Sequence, residues 1–372
     1  MQLKSMIEKV EKMIVDPKYQ ELKGFWNDFY SLKETNRIPI RITLTMRFFA
    51  NNLDINLVEH YQKPEKYIED SLKILKFQHN EILDDRVKRG IALSFGEAFE
   101  SSLFGSKPTF EPDMDPMVGE PVIKTEEDVE NLDYPDFYTS GLMPKVLKIY
   151  ETAEKMLKRK IPVFFERWDR SSWGVAVHLR GLRELLIDTF RNPNLVHKLL
   201  AFITESRMRW EREKERFLGE KTESGLLYND EVNAQVISPR TYQVFAHPYE
   251  KKLADFYPKG IFYFHSCGDI TSFLDTIATI RGLRRLHISP ATDFETAVSK
   301  LDRRFVFQKR MHPVGDLQLC DTKNMELKIR EALRVARGTF MELDPGPIQD
   351  VHLEKIKTWI NIVRKTTKTK PE

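Results

Sequence analysis

The sequence predicts an α/β fold, specifically a (β/α)8 TIM barrel, and three observations carry that expectation. Eight short apolar or β-branched runs recur along the chain, helical patterns separate the later ones, and 372 residues accommodate a barrel of about 250 residues plus insertions. A content of 41% hydrophobic and 31% charged residues supports a sizeable core and excludes disordered, collagen-like and disulfide-rich classes. Lysine and arginine (59) nearly cancel aspartate and glutamate (56), so a net charge of +3 marks neither nucleic acid nor an anionic membrane as a partner.

Residues 1–37 read as an N-terminal helical extension. Lys and Glu interrupt their apolar residues, leaving neither the apolar stretch of a signal peptide nor a membrane span. With only Cys267 and Cys320, the chain has no disulfide framework, and a reducing cytoplasm is the expected location. The eight expected strands are Ile40 to Leu44, Ile91 to Phe95, Ile161 to Phe165, Gly225 to Asn229, Gly260 to Phe264, Leu283 to Ile288, Phe305 to Gln308 and Thr339 to Leu343. Helical patterns cover Arg180 to Phe190, Asn194 to Phe217, Pro239 to Phe256, Thr271 to Ile280 and Asn324 to Ala336, and this alternation argues for a parallel sheet covered by helices. Residues 101–140, rich in Pro, Gly and acid, break the rhythm and read as a long loop insertion on the active face of the one domain; the tail from Arg364 to Glu372 reads as frayed.

The strongest chemical signal is Phe262-Tyr-Phe-His265-Ser-Cys267-Gly-Asp269. In an extended chain residues i and i+2 project to the same side, so His265 and Cys267 would emerge together at a strand end. Imidazole and thiolate suit zinc, whose catalytic sites take three protein ligands and keep one position open. His-x-Cys alone is weak, since buried cysteines and hydrogen-bonded histidines are common core residues. Its place at the C-terminal end of a barrel strand, where active sites of this fold gather, strengthens it.

Candidates for a third ligand are Asp230, Glu231, Cys320, Glu342 and Asp344. On the fourth run, alternation sets Leu227, Asn229 and Glu231 on one face and Tyr228 and Asp230 on the other; the apolar Leu227 favours the first set, and with it Glu231. A helix-capping or surface role for Glu231 is the alternative.

The barrel pattern, the segment Glu120-Pro-Val-Ile-Lys-Thr-Glu-Glu-Asp128-Val-Glu-Asn-Leu132-Asp-Tyr-Pro135, the stretch Gly181 to Asp188 and the His265-Ser-Cys267-Gly268 turn resemble the uroporphyrinogen decarboxylase superfamily, from about Ile38 to Val363. His-x-Cys-Gly resembles its zinc- and corrinoid-dependent methyltransferase branch. The region matching the decarboxylases' Arg-rich carboxylate clamp has only Arg47, within Ile42-Thr-Leu-Thr-Met46-Arg47. Coenzyme M methylating relatives complete the zinc site with a cysteine in a Pro-Gly-Cys turn, where this chain reads Asp344-Pro-Gly-Pro347. An oxygen ligand such as Glu231 in place of that thiolate makes a harder site, better matched to an ether oxygen than to a thiol.

The resemblance therefore implies an O-demethylase methyltransferase, with Glu231, His265 and Cys267 as catalytic zinc ligands. It implies methyl transfer from a small methoxylated aromatic compound to the cobalt(I) of a corrinoid carried by a separate protein, because the chain has no cobalamin-binding Asp-x-His-x-x-Gly pattern. Thiol methylation and decarboxylation are the alternatives, and a homodimer stays open. Candidates for substrate contact at the strand ends are Met46, Arg47, Trp168, Asn229 and His312, with Phe95, Trp173 and Arg310 behind them; each also has an ordinary packing, pairing or hydrogen-bonding role open to it.

Overall fold

The computed structural model describes residues 2–368. The N-terminal extension is two helices, Gln2–Ile14 and Pro17–Tyr30, divided where Asp16 caps the second by accepting from the Lys18 N–H and Pro17 supplies the first helical position. Trp26 and Phe29 of the second helix pack on Val306 and Phe340.

The strands, in chain order, are β1 (Ile91–Ala92), β2 (Thr109–Glu111), β3 (Met114–Met117), β4 (Val163–Phe164), β5 (Gly225–Tyr228), β6 (Ile261–His265), β7 (Arg285–Ile288), β8 (Val306–Arg310) and β9 (Phe340–Asp344). β5 to β9 form one parallel sheet in sequential order, and β1 pairs in parallel with β4. The α/β class and the parallel sheet are as expected from sequence. Seven of the eight predicted runs overlap a strand of this set, with no end moved by more than three residues.

The exception is Ile40 to Leu44, which touches the sheet through single parallel bridges, Ile40 with Leu343 and Leu44 with Ile348. Its other edge is met by side chains: Asp85 accepts from Ile40 N (2.8 Å) and Asp84 from Ile42 N (3.0 Å). Carboxylates thus occupy donors that a neighbouring strand would otherwise take. A further bridge, Arg170 with Tyr228, joins the segment after β4 to β5.

Alternation along the sheet gives an unexpectedly polar face. Tyr263, His265, Arg285, Gln308, Arg310, Glu342 and Asp344 are bonded to one another there, while Phe264, Leu286, Ile288, Phe307 and Leu343 belong to the apolar core. The predicted helix from Arg180 to Phe190 is Leu182–Arg191, and a further helix outside the predicted ranges, Ser172–Arg180, precedes it across Gly181, whose φ of +86° is a backbone geometry that favours glycine. Residues 101–140 are more ordered than a loop: β2 and β3 make a hairpin, with Tyr61 bonded to Asp115 and the Leu57 N–H to Pro112 O. The hairpin lies beside Gly96, just past β1, where a Cβ would meet Asp115. The C-terminal helix runs from Leu353 to Lys368, so the tail is helical to that point, and residues 369–372 lie outside the described residues. Among the described residues no helix is long and apolar enough to cross a membrane.

Burial opposes the charge of Asp84, but Arg86 at 2.6 Å, Lys88 at 3.0 Å and the Ile42 N–H outweigh it and hold the carboxyl below its usual range. A depressed folded-state value stabilises the protein above the unfolded-state pKa, and that stability is lost as pH falls. Urea denaturation is therefore expected to show stability declining below about pH 4. Asp84→Asn should flatten that decline and cost about 3–5 kcal/mol at neutral pH.

Candidate metal centre

Two loops past the ends of β5 and β6 meet, and four contacts hold them together. Ser266 Oγ donates to Val232 O (2.9 Å), Ala234 N to Asp269 O (2.8 Å) and Cys267 N to Asp230 Oδ1 (3.0 Å). The fourth is steric: a Cβ on Gly268 would stand 2.1 Å from the Asn233 Cβ, so only glycine permits this approach. The glycine of His-x-Cys-Gly thereby lets the turn after β6 press on the turn after β5.

The meeting brings together Asp230, His265 and Cys267, with one ligand atom of each within 4.8 Å of the others. Among the described residues this is the one such group of three or more. His265 Nε2 lies 3.3 Å from Asp230 Oδ1 and 3.3 Å from Cys267 Sγ. Zinc bonded at about 2.0–2.3 Å in a tetrahedron places neighbouring ligand atoms about 3.3–3.6 Å apart, so the oxygen, nitrogen and sulfur donors fit that ion.

The charges suit the same use. Burial lowers the His265 pKa, and Arg310 and Arg285 add to the effect against the opposing pull of Asp230, which favours the neutral imidazole that binds metals. Burial opposes charge on Asp230, yet His265, Arg170 at 3.7 Å and the bond from Cys267 hold its carboxyl well below the usual range. Burial and the charge of Asp230 push the Cys267 thiol up to about 12. That rise belongs to the three donors without a cation among them, and a bound cation reverses it.

Glu231, expected as the third ligand, lies outside this group, and its neighbour Asp230 stands in it. The parity argument needed an extended chain through residue 231, but β5 ends at Tyr228 and Val232 N bonds back to Asn229 O in a turn, which exchanges the two side chains. Glu231 instead receives Arg170 Nη1 at 2.6 Å, with His178 Nε2 3.7 Å away. Burial raises its pKa against the pull of Arg170. Arg170 also reaches Glu97 at 3.2 Å, and burial with Arg170's charge lowers His178 to about 3, so that ring is neutral at physiological pH. Glu342 and Asp344 are engaged by Arg285 and Arg310, and Cys320 stays outside the group.

The five substrate-contact candidates have the following contacts and places in the structure. Trp168, 1% exposed, packs edge-on against Phe104 and Trp210 as core. Arg47 pairs with Asp113 and Asp350, and Met46 opens the helix Met46–Leu53. His312 caps the following turn by accepting from Val314 N and Gly315 N. Asn229 is fully buried, its amide donating to Glu250 Oε1 at 2.7 Å. Burial raises Glu250 to about 7, against its bonds to Tyr242 and Asn229. The sequence reading missed Arg170 and Tyr263, although Tyr263 stands two residues before His265 in the alternation that paired His265 with Cys267. Gly268→Ala is expected to lower stability by about 1–3 kcal/mol in urea denaturation by forcing the two loops apart; wild-type stability would contradict the close approach.

A family model described as uroporphyrinogen decarboxylase (URO-D) matches residues 33–366. No curated protein matches the chain. Among solved structures, a methyltransferase from Methanosarcina mazei is similar in fold, with a TM-score of 0.70 and 14% sequence identity, over 92% of this chain and 98% of that one. With nearly its whole length matched by the family model, the chain belongs to the uroporphyrinogen decarboxylase family.

Proposed function

We propose that this protein is a cytoplasmic zinc-dependent methyltransferase that demethylates methoxylated aromatic compounds and delivers the methyl group to the corrinoid of a separate protein. In this reading the strands close as a (β/α)8 barrel, and the site stands at its C-terminal mouth, where enzymes of that fold do their chemistry. The observation that carries the proposal is the convergence of Asp230, His265 and Cys267 at the ends of β5 and β6.

An aryl methyl ether resists cleavage because its leaving group is a phenolate, the conjugate base of an acid with a pKa near 10. Zinc held by these residues would supply a Lewis acid for the ether oxygen and offset the charge that develops as the carbon–oxygen bond breaks. Asp230 gives the donor set one oxygen, which favours an oxygen substrate over a thiol on the argument first made for Glu231. Arg170 holds Asp230 and Glu231 in place from the side. Two buried atoms nearby, Glu231 Oε2 and His178 Nδ1, have no hydrogen-bond partner in the protein, and polar ring substituents of a substrate would bond there. In this reading the hairpin β2–β3, which lies beside the end of β1, would shield that side of the mouth from water.

Zinc titration against a chelator tests the ligand set. Asp230→Asn and Cys267→Ser should each weaken binding by more than about 100-fold, and Glu231→Gln by no more than the roughly 10–100-fold that outer-shell changes cost. Loss of affinity in Glu231→Gln with none in Asp230→Asn would return the ligand role to Glu231. Incubation with a reduced corrinoid protein and either methoxybenzoates, 2-methoxyphenol or a thiol tests the chemistry. Methyl transfer from the ethers is expected; transfer with the thiol alone, or decarboxylation alone, would overturn the ether assignment.

A further inference from the structure

The polar face of the sheet contains a chain of hydrogen bonds whose direction can be worked out from one end. Asp344 is fully buried and accepts from Thr43 Oγ1 (2.6 Å), Thr43 N (3.2 Å), Gly346 N (2.9 Å) and Arg310 Nη2 (3.1 Å). With these partners it is a carboxylate, which can only accept. The Gln308 group 3.0 Å from Asp344 Oδ2 is therefore its NH2, and its carbonyl oxygen turns the other way. That oxygen stands 2.5 Å from the Tyr263 hydroxyl, which has to be the donor. A hydroxyl has one proton, so toward His265 Nδ1, 3.0 Å away, the tyrosine oxygen can only accept.

We propose that Asp344, Gln308 and Tyr263 are positioning residues that fix His265 as the Nδ1–H tautomer and so present the lone pair of Nε2 beside Asp230 and Cys267. The inference rests on the metal-site reading above and deepens it, since a protonated Nε2 cannot ligate. The relay has a real opponent. Asp230 Oδ1, 3.3 Å from Nε2, would by itself draw the proton to that nitrogen and close the donor set with an internal hydrogen bond. Tyr263, without a second proton to offer, holds the proton on the far side of the ring.

The test is histidine 15N NMR on metal-free protein, with the His265 signals assigned by comparison with His265→Gln. Wild type is expected to show protonated Nδ1 and unprotonated Nε2. In Gln308→Leu the tyrosine loses its acceptor, turns its proton to Nδ1 and moves the histidine proton to Nε2, although no atom of His265 is altered. Zinc affinity, read by chelator competition, should fall about 10–100-fold with it. Tyr263→Phe removes the oxygen and should move tautomer and affinity the same way, keeping the test open if Gln308→Leu does not fold. Protonated Nε2 in wild type, or folded variants with an unchanged tautomer, would overturn the relay even if zinc binds. The expected tautomers with no zinc binding in wild type would leave the relay standing and overturn the metal reading.

Discussion

The carboxylate of Asp344 sits at the end of β9 with no exposed surface, and much of the surrounding polar structure answers to the need to satisfy it. A buried charge is tolerable only when paired and hydrogen-bonded. Arg310 supplies the charge and Thr43 ties in the segment that lacks a continuous strand partner. Gln308 passes the orientation on through Tyr263 to His265. Glu342, two residues earlier on the same face, does the corresponding work one layer down: it receives Arg285, Arg41 and the hydroxyl of Tyr30, which fastens the N-terminal helix to the sheet. The polar interior is therefore a framework in which each side chain restricts the next.

A second constraint acts where the strands end. The site is made by two turns, and their mutual position comes from backbone and hydroxyl contacts together with the space left by a missing Cβ at Gly268. His265 arrives on a strand, with the orientation of a strand residue. Asp230 and Cys267 arrive on turns, so their placement depends on the contact between those turns. This division of labour suits the proposed metal site, in which the histidine would keep one tautomer while the other two donors accept an ion.

The legibility of the sequence follows from the same physics. Apolar runs bounded by turn residues located seven of eight strand segments, because burial between sheet and helices demands such residues. In the sequence, period-2 alternation pairs His265 with Cys267; followed the other way along β6 it reaches Tyr263, while Cys267 itself lies past the strand end at His265. The same alternation failed at Asp230 and Glu231, because it holds only while the chain is extended, and β5 stops at Tyr228. Trp168 and His312 show the other limit: an aromatic or titratable side chain near a strand end has the same appearance in sequence whether it faces a ligand, fills the core or caps a turn. Near-cancellation of charge concealed a buried set of ion pairs, among them Arg285 with Glu342, Arg310 with Asp344 and Arg170 with Glu231, which no sum over the chain can show.

The account stands on Asp230, His265 and Cys267 acting together as a zinc site. X-ray absorption at the zinc edge of the metal-loaded protein, followed by anomalous diffraction, tests that claim most directly. One sulfur at about 2.3 Å with nitrogen and oxygen ligands at about 2.0–2.2 Å, and an anomalous peak among these three side chains, is the predicted result. Zinc without a sulfur ligand, or an anomalous peak elsewhere in the molecule, would contradict it.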